Sequence, residues 1–167
     1  MTWLARAVAD VERDPETVYA LFPRAVREGG PGARAELLRA LTTALPDPVA
    51  AITKLYWQGD AGERLEILEA LARLDLGPEA LPLVHDALRT NDTRLVAAAL
   101  GAYGSTWLDD HAFRQGVLKC VFMSVPLASV EGLDRRIDDE LRRMLADFAA
   151  ERRAAGRPVP PDVLERL

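Results

Sequence analysis

His111, Gln115 and Lys119 follow one another at four-residue intervals, so a helix carries them on one stripe, with Arg114 and Leu118 beside them. The chemistry such a stripe offers is proton transfer. An imidazole next to Asp109 and Asp110 suits a general base, and a lysine set between Leu118 and Cys120 suits a base or nucleophile once its charge is desolvated. The same residues support a reading without chemistry. In it Asp109 or Asp110 caps the helix, His111 lies at the surface, and Lys119 pairs with an acidic residue of the last helix such as Glu140. No nucleophile elbow, phosphate loop or dinucleotide fingerprint is present, so no catalytic residue is assigned.

Arg136 and Arg143 raise a further possibility. Facing Lys119, they would form a cleft for an anionic ligand; the alternative is a solvated, salt-bridged face, because Asp134, Asp138, Asp139, Glu140, Asp147 and Glu151 nearly balance the arginines of that segment. His111, Gln115, Lys119, Arg136, Glu140 and Arg143 are therefore the candidate ligand- or partner-binding residues. A metal site is not expected: His85 and His111 are far apart in the chain, and HxxxH and HExxH patterns are missing. Cys120 reads as a small core residue. No cofactor is expected.

The elements that must position these residues have helical periodicity throughout. A first helix runs from the Thr2 cap to about Glu12. Asp14-Pro15-Glu16 starts a second that ends near Gly29-Gly30, with a kink or break at Pro23. Gly32, Ala35, Leu37, Leu38, Ala40 and Leu41 recur thirty positions on as Gly62, Leu65, Ile67, Leu68, Ala70 and Leu71. A further shift of 29 takes Ile67, Ala70, Leu71 and Leu74 to Val96, Ala99, Leu100 and Tyr103. Each is followed by a second helix: Asp47 to Gln58, Pro78 to Arg89, and Asp109 to Ser124. Helix pairs at this period predict an all-α fold of hairpins stacked as a short HEAT-like α-solenoid, one domain over residues 1–167. Gly101 is read as permitting close helix packing and Gly104 as a C-cap.

The last long helix is predicted from an Asp134 N-cap to Ala155, with Gly156 following it. Ile137, Leu141, Met144, Leu145, Phe148 and Ala149 form its apolar face, and Asp138–Arg142 and Asp139–Arg143 are i,i+4 pairs. Pro160-Pro161-Asp162 begins a short terminal helix whose Val163, Leu164 and Leu167 are placed to dock back.

Composition agrees with this class. Ala and Leu dominate the apolar residues, and only 6% of the chain is aromatic. A net charge of −5 argues against a nucleic-acid surface. A single cysteine excludes an intrachain disulfide. Met1-Thr2-Trp3-Leu4 does not start a signal peptide, and no apolar run nears the ~18 residues of a membrane span, so a cytoplasmic protein is expected.

The stretch from Val117 to Pro160 is the most idiosyncratic. Leu118-Lys119, Phe122, Pro126-Leu127, Gly132-Leu133-Asp134-Arg135-Arg136, Glu140-Leu141, Arg143-Met144-Leu145, Asp147-Phe148-Ala149, Glu151-Arg152 and Ala154-Ala155-Gly156-Arg157 resemble the C-terminal signature of the EboA-type family of metabolite-traffic proteins. The resemblance is specific over the last third and general elsewhere. It implies a bacterial gene cluster that also encodes a prenyltransferase-like membrane protein and TIM-barrel-type enzymes, and that moves a secondary-metabolite precursor out of the cytoplasm. The implied role is non-catalytic binding of a small apolar or aromatic metabolite, or of a sister protein of the cluster. A small acid–base enzyme working through Lys119 and His111 is the alternative.

Overall fold

A computed structural model describes all 167 residues; every regular element is helical and no strand occurs. The chain divides into two compact units, Met1–Leu83 and Val84–Leu167.

The first unit starts with α1 (Trp3–Arg13), capped by Thr2, whose hydroxyl accepts from the Ala5 N–H at 3.1 Å. The expected second helix is broken into short pieces: a 3₁₀ turn over Pro15–Thr17, α2 (Val18–Leu21), a second 3₁₀ turn over Phe22–Arg24, and α3 (Ala25–Gly29). Pro23 causes the break, since it has no N–H to give. The Phe22 and Pro23 carbonyls instead accept from the Arg34 guanidinium, at 3.1 and 3.3 Å. Arg34, buried on α4 (Ala33–Ala44), is neutralised by Glu66 at 2.7 Å and Glu63 at 3.5 Å.

The next elements are α5 (Val49–Gln58) and α6 (Ala61–Ala70). Helix α6 opens with a capping box: Asp60 accepts from the Glu63 N–H, and Glu63 accepts from the Asp60 N–H, each at 2.8 Å. Helix α1 packs on α4, and α4 on α6. Leu37, Leu38 and Leu41 meet Ile67 and Leu71 in a core that also takes Phe22, Ile52 and Tyr56. Of the recurring positions, Leu37, Leu38, Ala40 and Leu41 and their counterparts Ile67, Leu68, Ala70 and Leu71 are buried, whereas Gly32 is exposed and Ala35, Gly62 and Leu65 are only partly covered. The Gly77–Ala80 3₁₀ turn leads into α7 (Leu81–Arg89), and the boundary between the units falls inside that helix.

In the second unit the third recurrence is not one helix. It is divided into α8 (Thr93–Ala99) and α9 (Ala102–Trp107), with Gly101 in extended conformation between them. The Leu100 carbonyl released by the break accepts from the Glu131 N–H at 2.9 Å. Gly104 is not a C-cap: it lies inside α9, where an added Cβ would overlap the Ala99 carbonyl oxygen. Helix α10 (Asp110–Phe122) follows, capped by Asp109, whose carboxylate accepts from Ala112 N–H at 2.7 Å.

The expected helix from Asp134 is likewise two. A short α11 (Leu133–Arg136) ends at the extended Ile137, and the long α12 (Asp139–Ala154) starts from Asp138 as its N-cap. Asp138 accepts from Leu141 N–H at 2.9 Å and from Arg114 Nε at 3.0 Å. It therefore does not pair with Arg142, which reaches the Arg166 carbonyl, and Arg143 pairs with Glu140 and Asp147 instead of Asp139.

The C-terminus of α12 is as expected. Gly156 has φ +66°, its N–H donates to the Arg153 carbonyl, and the Arg157 N–H donates to that of Arg152 at 2.8 Å, the paired closure of a Schellman motif. Leu141, Leu145, Phe148 and Ala149 bury their stripe with Phe113, Val117 and Cys120 in the core. Of the terminal residues only Val163, on α13 (Pro161–Leu164), docks; Leu164 and Leu167 stay exposed. Asp162 fixes α13 by accepting from the Leu127 N–H at 2.9 Å.

Candidate functional site

An open groove of about 720 Å³ lies in the second unit, between the C-terminal half of α7 with the segment after it and one face of α10. Its walls are largely apolar: Leu88, Ala112, Leu118, Phe122 and Met123. Gly116 forms part of the floor, where the missing side chain admits Leu100, whose Cδ2 would be 2.9 Å from an added Cβ. The amphipathic character of α10 explains the arrangement. Phe113, Val117 and Cys120 turn into the core, which leaves the His111–Gln115–Lys119 stripe to face outward.

Those three residues are thereby brought together on the groove, and His85 on α7 joins them, so both histidines of the chain line it. His85, Leu88 and Asn91 were not among the candidates. Nothing in their spacing links them to α10, which starts at Asp110, and only folding reveals the association. No cluster of three metal-ligating side chains forms around either histidine.

Lys119 does not pair with Glu140. Its Nζ donates to the Leu88 carbonyl at 2.6 Å, one of the carbonyls at the end of α7 that lack an intrahelical partner. The cation also meets the negative end of that helix dipole. No carboxylate lies within ion-pair distance of it, and the side chain is half-buried.

Arg136, Glu140 and Arg143 do not line the groove. Arg136 is a tie between α11, α9 and α10: it donates to the Ser105 carbonyl at 2.8 Å, pairs with Asp110 at 3.0 Å, and lies 4.2 Å over the Phe113 ring. Glu140 and Arg143 pair with each other at 2.7 Å on the exposed face of α12. The cleft for an anionic ligand built from Arg136 and Arg143 facing Lys119 is therefore not formed.

Cys120 and Asp138, on or beside α10 but not on the groove wall, have displaced titrations. Burial pushes the Cys120 thiol up to about 11, against a smaller opposing pull from Lys119. The Arg114 side chain, then the Leu141 N–H, hold the Asp138 carboxyl down to about 2. A thiol so displaced stays protonated at neutral pH and is no nucleophile.

Among known proteins, no curated protein and no solved structure matches the chain. A family model described as metabolite traffic protein EboA matches residues 30–167, well beyond the last third that carries the quoted motifs. It takes in every element from α4 to α13, including the whole groove. No helix is long and apolar enough to cross a membrane. On that match the chain belongs to the EboA family of metabolite-traffic proteins.

Proposed function

We propose that the protein acts in metabolite traffic by holding, without transforming, a small apolar or aromatic molecule in the groove between α7 and α10. The observation that carries this reading is the groove itself: about 720 Å³, with mostly apolar wall surface that also carries hydrogen-bonding side chains. Small-molecule sites commonly measure about 300–1,000 Å³ and have that makeup. Family membership supports the traffic half of the reading. The gene cluster implied by the resemblance supports a bacterial, cytoplasmic setting and a secondary-metabolite precursor as cargo. Stacking of the hairpins as HEAT-like repeats belongs to the same proposal, supported by the recurrence of buried positions Leu37, Leu38 and Leu41 as Ile67, Leu68 and Leu71.

The test uses N-phenyl-1-naphthylamine, a neutral aromatic dye that brightens on entering an apolar site. The native protein should enhance its emission, and Ala112→Trp, which fills the groove from an incompletely buried wall position, should abolish the enhancement while leaving the far-ultraviolet dichroism unchanged. No enhancement by the native chain sinks the reading. Tight capture of a sister protein without dye binding favours an adaptor.

A second reading, an enzyme using Lys119 and His111, has one observation in its favour: Lys119 has no carboxylate partner. Borohydride trapping of 1-naphthaldehyde as an amine adduct at Lys119, in preference to Lys54, would favour it.

A further inference from the structure

The groove is more cationic than the molecule that carries it. Arg89 and Lys119 are the charged donors on its walls and Asp109 the one carboxylate, on a chain whose net charge is −5. Asp109 is already committed to the Ala112 N–H as the cap of α10. The Arg89 guanidinium is largely exposed and meets Asp86 at 3.3 Å, which leaves most of its donors free.

Lys119 is the sharper case. An ammonium offers three N–H donors, and the Leu88 carbonyl at 2.6 Å takes one. That carbonyl fixes the nitrogen at the groove wall while neutralising none of its charge. A cation held half-buried among Leu88, Leu118 and Phe122 without a counter-ion is costly, and an anion arriving with the ligand offsets the cost through a charge-assisted hydrogen bond. His85, His111, Asn91 and Gln115 supply further groups suited to an acidic head.

We propose that the groove ligand is an anionic amphiphile, whose carboxylate or phosphate head is bound by Lys119 and Arg89 and whose apolar body lies along Leu88, Leu118 and Phe122. The proposal rests on the groove being the binding site and names the chemical class of what enters it. Neutral aromatic molecules then bind through the body alone and more weakly.

Decanol, decanoate and decyl phosphate separate the head from the body. Each is used as a monomer, below its aggregation limit, to displace N-phenyl-1-naphthylamine from the full-length protein. Decanoate and decyl phosphate should each bind about tenfold more tightly than decanol, and the preference should shrink as salt rises. The stronger of the two identifies the head as carboxylate or phosphate.

Lys119→Met should erase the preference while leaving decanol affinity unchanged. Because that substitution also removes a donor from Leu88, Gln115→Glu is the companion variant. Gln115 is exposed on α10, and the new carboxylate, four residues before Lys119, would occupy the ammonium without disturbing the helix. It too should cut decanoate and decyl phosphate binding about tenfold and spare decanol. Equal affinity for all three compounds, or a preference that survives both substitutions, overturns the anionic head and leaves the apolar groove standing. If the dye itself does not bind, the groove reading falls with it.

Discussion

The Lys119 ammonium ends on a backbone carbonyl, so deleting it strips the end of α7 of a donor. Lys119→Met should lower stability by about 1 kcal/mol in urea titrations, and Lys119→Arg by less, because a guanidinium can still reach Leu88. If both substitutions are neutral, the bond to Leu88 contributes nothing. Cys120, fully buried and displaced upward to about 11, should resist Ellman's reagent in the folded protein and react only as denaturant opens the core. Rapid labelling under native conditions would place the thiol outside the core.

Asp138 contributes to the pH dependence, alongside Glu28, Asp92 and Glu140, whose carboxyls arginine partners also hold below their ordinary values. The folded pKa of Asp138, near 2, lies below the ordinary aspartate value of about 3.9, so the native chain prefers the ionised form. The stability this supplies is present above about pH 4 and is lost as the pH falls towards 2. Asp138→Asn should therefore be less stable at neutral pH and should flatten the acid limb of the urea midpoint against pH. An unchanged acid limb would mean that Arg114 does not select the ionised carboxylate.

At the scale of elements, close backbone approach decides more than propensity. Gly104 faces the Ala99 carbonyl at a distance no Cβ tolerates, and a backbone oxygen cannot swing aside as a side chain would. Gly104→Ala should cost about 2–4 kcal/mol, by forcing apart the α8–α9 junction. Gly156→Ala should cost only about 1 kcal/mol, since an added Cβ there meets open space and only the left-handed backbone is strained. Equal losses at the two positions would show that overlap with Ala99 is relieved cheaply.

The same scale explains what the sequence made legible. Thr2 and Gly156 bound helices through their own side chain or backbone, so local rules found them, whereas the cap of α10 was left open between Asp109 and Asp110. The division of the predicted Asp134 helix was not legible, because Asp134 and Asp138 are both acceptable caps. Arg114, twenty-four residues earlier, fixes Asp138 as the one that opens α12. The fate of Lys119 was hidden for a related reason. Carboxylates are visible in a sequence as partners for a cation, whereas an unpaired helix-end carbonyl such as Leu88 is visible only after folding.

For the whole molecule, helical class follows from apolar periodicity, but the division into two compact units leaves no compositional mark. It falls at Leu83–Val84, inside α7, and the Gly77, Pro78 and Pro82 that precede it read as the entry to a helix, not as a linker. Half of the site was legible for the same physical reason: the α10 stripe is local, while its meeting with His85 and Leu88 is tertiary. Every residue that lines the groove lies between His85 and Met123, within the second unit, whereas Leu41 is fully buried in the first. Leu41→Ala should therefore lower the stability of the protein by about 2–5 kcal/mol through the cavity it leaves. At temperatures where the variant is folded, its affinity for N-phenyl-1-naphthylamine should equal that of the native chain. A loss of affinity alongside the loss of stability would mean that the groove depends on the first unit's core, and that ligand uptake is a property of both units.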